Sequence, residues 1–234
     1  MADRKKGFFD GLFEDFRTPP AKTSIKIVLL GDGATGKTSF FNRITDGENP
    51  DYKFSKVYDA TRGCNICQIE YMIGRYPITI HMFDMAGQEK FGMLRDSYLT
   101  GADAIIMMYD LSEKITKQNV LTKWIPEVRR FLTASGCTQY IPIAVVGNKN
   151  DKIDMSQVKS DVVYVNHVGI RTSSLVGIYD PRQFGPIEHF YISVKADENL
   201  MDPVNWVLRH VLAYYMPVDV KRSAKKPSVY LCNK

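Results

Sequence analysis

A glycine-rich segment at residues 31–38 follows an apolar run, and its residues could bind phosphate. Its order is Gly, four residues, Gly, Lys, Thr, which is the pattern of a phosphate-binding loop. The glycines let backbone N–H groups turn toward phosphate oxygens, Lys37 reaches the outer phosphates, and the Thr38 hydroxyl holds Mg²⁺. A helix beginning there adds its positive dipole end. The segment predicts a nucleoside triphosphate site with magnesium, lined by Gly31, Asp32, Gly33, Ala34, Thr35, Gly36, Lys37, Thr38 and Ser39.

Three residues that could act on the terminal phosphate follow the apolar run Ile78–Phe83. An Asp at a strand end can bind Mg²⁺ beside the phosphate-loop Thr, and Asp84 has this position. Gly87 offers a bare N–H to the terminal phosphate, and Gln88 can orient an attacking water. This second segment predicts hydrolysis of the bound nucleotide.

Two later segments could recognise a base. Residues 148–151 read Asn-Lys-Asn-Asp, and Asp151 can accept hydrogen bonds from the two adjacent donors on the guanine edge. The Lys149 stem can lie against the base plane, and Asn148 belongs to the same motif. A polar site of this kind rejects the wrong base by roughly 10⁴-fold. The backbone of residues 193–195, which are Ser193, Val194 and Lys195, can donate to the guanine carbonyl.

These residues need elements that bring them together. Apolar runs that do not alternate suit strands covered on both faces, and helical patterns lie between them. We predict an α/β fold, a doubly wound, mostly parallel sheet flanked by helices, whose ligands bind at the carboxyl ends of the strands. The predicted strands are Ile25–Leu30, Ile78–Phe83, Ala104–Leu111, Ile141–Gly147 and a short Ile192–Val194; the predicted helices are Lys37–Ile44, Gln118–Leu132 and Val204–Tyr215.

The four motifs stand in the order found in one family, and the sequence resembles the Ras-superfamily small GTPases over about residues 24–215. The resemblance implies a P-loop G domain that binds GTP and GDP with Mg²⁺ and hydrolyses GTP slowly. It also implies that Thr61 joins Thr38 and Asp84 as a Mg²⁺ ligand in the triphosphate state, and that Tyr58 contacts the nucleotide. The catalytic set is then Gln88, Lys37 and Thr61; the aromatic that stacks on guanine stays open between Tyr52 and Phe54.

Within the superfamily, the stretches 86–92, 94–96, 104–107 and 117–120 followed by Trp124 are similar to the Ran group of nuclear-transport GTPases. This similarity implies a role in nucleocytoplasmic transport or a related trafficking process, with importin-β-type receptors as possible partners. Since no arginine is committed to act on the phosphates in cis, we expect an activating protein, together with an exchange factor.

The chain divides into an N-terminal extension (1–23), the G domain (24–216) with an insertion near 167–186, and a basic tail (217–234). The tail has five basic residues against one acidic residue, while the body is nearly neutral, so no direct nucleic-acid binding is expected. The extension is amphipathic, and we favour self-packing or partner docking over membrane contact. Neither a secretory signal nor a spanning segment is expected, which predicts the cytoplasm, the nucleus or both.

Two other functions stay open at this stage. One is a Rab-like membrane-traffic GTPase anchored by its two ends, although Cys232 is not followed by a prenylation box. The other is a scaffold that binds GTP but scarcely hydrolyses it. Cys64 and Cys67 lack a second pair at zinc-site spacing, so we interpret them as small apolar residues.

Overall fold

The computed structural model describes residues 21–45, 61, 64–73, 76–85, 97–134, 140–154 and 185–215. Apolar residues with extended backbone preference form the strands, which lie next to one another in one sheet. The strands are β1 Ser24–Leu30, β2 Cys64–Ile73, β3 Tyr76–Met85, β4 Ala104–Asp110, β5 Ile143–Asn148 and β6 Ile187–Tyr191.

The strand order in the described sheet is β2-β3-β1-β4-β5-β6. β2 pairs antiparallel with β3, and every other neighbouring pair is parallel. β4 and β5 are buried along their whole lengths, as the absence of alternation predicted. The predicted fold class is confirmed, and the parallel strands bring the ends of β1, β3, β4 and β5 to one edge of the sheet.

The α-helices that flank the sheet include α1 Lys37–Thr45, α2 Lys114–Asn119, α3 Ile125–Ala134 and α4 Met201–Tyr214. Their apolar residues and those of the two sheet faces form two core clusters. One contains Phe40, Val207 and Leu208, and the other contains Trp124 and Val128. Within the described residues, no helix has the length and apolarity required to cross a membrane.

The single helix predicted over Gln118–Leu132 is wrong in its middle. A π-helical turn, Val120–Trp124, separates α2 from α3, and the Ile125 N–H donates to the Val120 carbonyl five residues earlier. Pro126 explains part of this difference, because its ring would meet the carbonyl four residues before it in a regular α-helix. Leu121, in the π turn, is exposed.

The last strand also differs from its prediction. β6 ends at Tyr191, and Ile192–Val194 form the loop after it, where Ser193 makes only an isolated bridge to Glu198. Pro186, at the end of the predicted insertion, already leads into this strand, since its carbonyl accepts the Ile143 N–H at 2.9 Å. Residues 167–184 lie outside the described residues.

β2 was not among the predicted strands, and it contains both cysteines of the C-x-x-C pair. Cys64 and Cys67 are half-buried, and neither forms a disulfide within the part of the chain that the structure describes. Burial and, to a smaller extent, the nearby Asp84 carboxylate raise the pKa of the Cys64 thiol to about 11. The thiol is therefore protonated near neutral pH and is a poor nucleophile.

A buried histidine connects β4 and β6. Nε2 of His189 lies 2.9 Å from the Tyr109 hydroxyl, and the ring packs edge-on against Tyr191. Burial and, to a smaller extent, the nearby positive charge of Lys117 lower the pKa of His189 to about 4. The folded protein therefore holds this ring neutral.

We expect this histidine to make stability depend on pH. The pKa of His189 is lower in the folded state than in the unfolded chain, so folding loses stability as pH falls from about 6.5 toward 4. Between pH 7 and 4.5, the free energy of unfolding should fall by about 2 kcal/mol more in the wild type than in His189→Gln. Urea unfolding at the two pH values measures this, and parallel losses in both proteins would contradict it.

Candidate functional site

Two glycines shape the loop between β1 and α1. Gly31 has φ of +137°, and a Cβ there would lie 2.0 Å from the Met108 carbonyl oxygen of β4. Gly36 has φ of +95°, and its Cβ would lie 2.2 Å from Nδ2 of Asn148. Ala34 adopts φ of +61° between them, a left-handed conformation that strains a residue with a side chain. The loop is thus packed against β4 and β5, and the glycines make the close approach possible.

Lys37 is held at the opening of this loop. Its side chain is buried, and Nζ donates to the carbonyl oxygens of Gly31 at 2.9 Å and Asp32 at 2.6 Å. Burial lowers the pKa of Lys37 to about 8, although the carboxylates of Asp84 and Asp32 act in the opposite direction. A buried ammonium group bound to neutral carbonyls gains most when an anion enters, because a phosphate supplies the missing countercharge.

Oxygen atoms from three separate segments meet beside the loop. The Thr38 hydroxyl donates to Oδ2 of Asp84 at 2.7 Å, and the hydroxyl oxygens of Thr38 and Thr61 lie 2.6 Å apart. Asn65, opposite Asp84 in the β2–β3 register, donates its side-chain N–H to the same Oδ2 at 3.3 Å. The three residues predicted to bind Mg²⁺ are therefore brought together, and Asn65 is an addition that the sequence did not indicate.

The chemistry of this cluster fits a magnesium ion. Asp84 is fully buried, and its Oδ1 has no hydrogen-bond partner among the residues that the structure describes. Burial raises the pKa of Asp84, while the Thr38 hydrogen bond and the Lys37 charge lower it. Mg²⁺ takes oxygen ligands, keeps several waters and needs only one or two carboxylates. An orphaned carboxylate oxygen beside two hydroxyls meets these requirements.

Asn148 ties the phosphate loop to the base-recognition segments. Its Nδ2 donates to the Thr35 carbonyl at 2.9 Å, and its Oδ1 accepts the backbone N–H groups of Lys149 at 2.8 Å and Val194 at 3.2 Å. The side chain is buried, so these bonds are protected from water. The Asn of this motif therefore acts as a structural cross-link between three loops.

Lys149 pairs with Asp110, a residue that the sequence motifs did not indicate. Its backbone is left-handed, with φ of +68°. Its Nζ donates to the Ala34 carbonyl at 2.9 Å and forms an ion pair with Oδ2 of Asp110 at the end of β4. Burial alone would raise the pKa of Asp110, but hydrogen bonds from Lys149 and Ser112 together lower it. This pairing fixes the Lys149 stem.

Asp151 is oriented by the last motif. The Ser193 hydroxyl donates to its Oδ1 at 2.7 Å, and the exposed Lys195 ammonium lies 3.4 Å from its Oδ2. The Ser193 hydrogen bond is the main reason why the pKa of Asp151 lies below its usual value. Ser193 itself accepts the Ala196 N–H at 2.9 Å. A carboxylate held ionised in this way can accept two hydrogen bonds from a base.

Some predicted site residues cannot be located. Tyr58, Gly87 and Gln88 lie outside the described residues, as do both candidates for stacking on guanine, Tyr52 and Phe54. Ser39 is described as the third residue of α1, next to Thr38. The structure does not test the roles predicted for Tyr58, Gly87, Gln88, Tyr52 and Phe54, which stay predictions.

A comparison with protein families agrees with the geometry. The model of the Ras family matches residues 26–212. The chain belongs to the Ras family. Ras-family proteins bind GTP and GDP with Mg²⁺ and act as GTP-hydrolysing switches, and the chain is a GTPase of this general kind. The matched residues include the phosphate loop, the oxygen cluster and the base-recognition segments.

Proposed function

We propose that this Ras-family chain is a guanine-nucleotide switch that hydrolyses GTP to GDP in nucleocytoplasmic transport or a related trafficking process. The observation that supports the site is the meeting of three groups at one sheet edge. These are the phosphate loop, the Thr38–Thr61–Asp84 oxygen cluster and the oriented Asp151 carboxylate. Each group matches one part of a nucleotide: the phosphates, their cation and the base.

The phosphates lie in the loop, where backbone N–H groups of residues 31–38 and the Lys37 ammonium neutralise their charge. Thr38, Thr61 and Asp84 would hold Mg²⁺, which supplies electrostatic stabilisation of the charge on the β- and γ-phosphate oxygens. Thr61 lies beside Thr38 but belongs to a separate segment. Because the γ-phosphate and its Mg²⁺ would hold that segment in place, loss of the γ-phosphate would release Thr61. Gly87 would be released by the same event.

The base lies between Lys149 and the last motif. Asp151 accepts the two adjacent guanine donors, while the backbone of residues 193–195 donates to the guanine carbonyl. Adenine presents neither the donor pair nor the carbonyl at these positions. The fixed Lys149 stem, paired with Asp110, covers the base plane.

We expect Gln88 to orient the water that attacks the γ-phosphate. Gln88→Leu removes the hydrogen-bonding amide but keeps a side chain of similar size. GTP binding should be unchanged, whereas the single-turnover hydrolysis rate should fall by at least about tenfold. The same change at exposed Gln68, whose amide bonds Glu70 at 3.1 Å, is the matched control and should leave hydrolysis unaltered. Equal rates for wild type and Gln88→Leu would contradict the assignment.

The partners follow from the switch. An activating protein and an exchange factor are expected, and the activator should accelerate hydrolysis by roughly 10³–10⁵-fold. The N-terminal extension (1–23) and the basic tail (217–234) flank the G domain (24–216), and the protein works in the cytoplasm, the nucleus or both.

The transport role is tested by state-dependent capture. The chain, loaded with GTP or with GDP, is passed over immobilised importin-β-type receptor. Retention of the GTP form alone is the expected result, since the segments that contain Thr61 and Gly87 contact the γ-phosphate only in that state. Equal capture of both forms, or capture of neither, would contradict the transport role while leaving the guanine site intact.

A further inference from the structure

The second residue of the phosphate loop makes contacts that neither phosphate binding nor base recognition requires. Trp124 donates its Nε1–H to Oδ1 of Asp32 at 2.9 Å, and Asn119 donates its Nδ2–H to Oδ2 at 2.7 Å. The two donors come from the ends of α2 and of the π turn, 87 and 92 residues away in sequence. We call these three residues the Asp32 latch.

A carboxylate is an unfavourable choice in a phosphate-binding loop. Its negative charge repels the phosphates, and the repulsion is strong at short range in a partly buried site. Both oxygens of Asp32 are instead bound by neutral donors on a neighbouring helix. Hydrogen bonds to an ionised acceptor are stronger than bonds between neutral groups, so the charge strengthens the attachment of the loop to the helix.

The π turn makes the latch possible. Residues five apart in a regular α-helix lie about 140° apart around the axis, so Asn119 and Trp124 could not face one carboxylate. In a π turn the backbone hydrogen bond runs from i to i+5 and each turn contains more residues, which brings the two side chains closer to the same side. The Thr122 hydroxyl donates to the Gln118 carbonyl at 3.0 Å within this turn and helps to satisfy its backbone.

The latch is connected to Lys37, the side chain that we expect to reach the phosphates, through the backbone of Asp32. The Asp32 carbonyl accepts Lys37 Nζ at 2.6 Å and the Thr35 hydroxyl at 3.0 Å. Holding the Asp32 side chain restricts the movement of its own backbone, so the latch contributes to the placement of one of the two carbonyls that bind Lys37 Nζ. Trp124 is almost fully buried, which gives the latch a rigid support.

We propose that the Asp32 latch is a positioning site that sets the lifetime of the bound nucleotide by fixing the carbonyl that holds Lys37. This inference rests on the proposed guanine site, because the lifetime concerns a nucleotide in that loop. Asp32, Asn119 and Trp124 are positioning residues, since they act on the nucleotide through Lys37.

The test measures release of fluorescent GDP into excess unlabelled GDP and Mg²⁺. Asn119→Asp opposes two carboxylates and should speed release by about tenfold. Adding Asp32→Asn to that variant restores a donor opposite a carboxylate, with the roles reversed, and should return release to within about threefold of wild type. Trp124→Phe keeps the aromatic packing, loses only the N–H donor, and should also speed release. Val211→Ala, which opens a cavity in α4 within the core cluster that does not contain Trp124, is the control for general destabilisation.

Faster release in Asn119→Asp and Trp124→Phe, rescue in the double variant, and unchanged release in Val211→Ala are the expected results. Thermal unfolding of each variant is recorded in parallel. If the latch variants lose stability but release GDP at the wild-type rate, or if Val211→Ala accelerates release equally, the inference is wrong. If wild type retains no GDP, the guanine site fails as well, which is a distinguishable outcome.

Discussion

Replacing Gly31 with alanine should abolish both nucleotide binding and most of the stability of the domain. The new Cβ would lie 2.0 Å from the Met108 carbonyl oxygen, and the backbone has φ of +137°. Neither strand can move easily, because Leu30 of β1 and Met107 of β4 are paired in the sheet beside this contact. We expect the free energy of unfolding to fall by more than about 4 kcal/mol, which few single substitutions reach. Urea unfolding and GDP binding measure the two effects.

Gly101→Ala is the matched control for this prediction. Gly101 also has a left-handed φ, +71°, but its Cβ would meet nothing within 4 Å among the described atoms. This substitution therefore measures the conformational cost alone, which is about 1 kcal/mol. GDP binding should survive it. Similar losses of stability in Gly31→Ala and Gly101→Ala would show that the close packing of the loop against β4 is not what requires Gly31.

Asp151→Asn should change the base that the site prefers. The amide can accept one hydrogen bond but presents N–H to the second guanine donor, and two donors cannot pair. GTP affinity should fall by about 10²–10⁴-fold. A base with a carbonyl in place of the 2-amino group restores the pairing, so xanthosine triphosphate should bind the variant better than GTP does. Competition against fluorescent GDP measures both affinities.

A second Asp→Asn variant in the neighbouring loop controls for the loss of one charge. Asp197 has φ of +61°, which asparagine tolerates, and its carboxylate pairs with Arg43 of α1 rather than with a base-recognition residue. Asp197→Asn should keep the wild-type preference for GTP. If Asp151→Asn retains that preference too, the carboxylate does not read the base.

The phosphate loop and the base motifs could be predicted because their signals are local. Each is a short run of particular residues after an apolar strand, and a parallel sheet brings such strand ends to one edge. The same reasoning grouped Thr38 with Asp84. Thr61, which the family resemblance implied, lies beside them.

The supporting contacts could not be predicted in the same way, because they join residues far apart in sequence. Asp110 pairs with Lys149 across 39 residues, and Asp32 bonds to Trp124 across 92. A single Asp in a glycine-rich loop gives no sign of its partner. Pro126 was a usable local signal for the interrupted helix, since proline disfavours a regular turn before it. The strand Ile187–Tyr191 was missed because Glu188 and His189 interrupt its apolar pattern.

The most direct test of the guanine-nucleotide switch is to offer the purified chain equal amounts of GTP and ATP with Mg²⁺, and to identify the bound nucleotide over time. The geometry of Asp151 predicts that guanine nucleotide is retained at least about 10³-fold over adenine nucleotide, whereas Lys37 binds the phosphates that both share. The retained GTP should then convert to GDP. Equal retention of ATP, or bound GTP that never becomes GDP, would contradict the proposed switch.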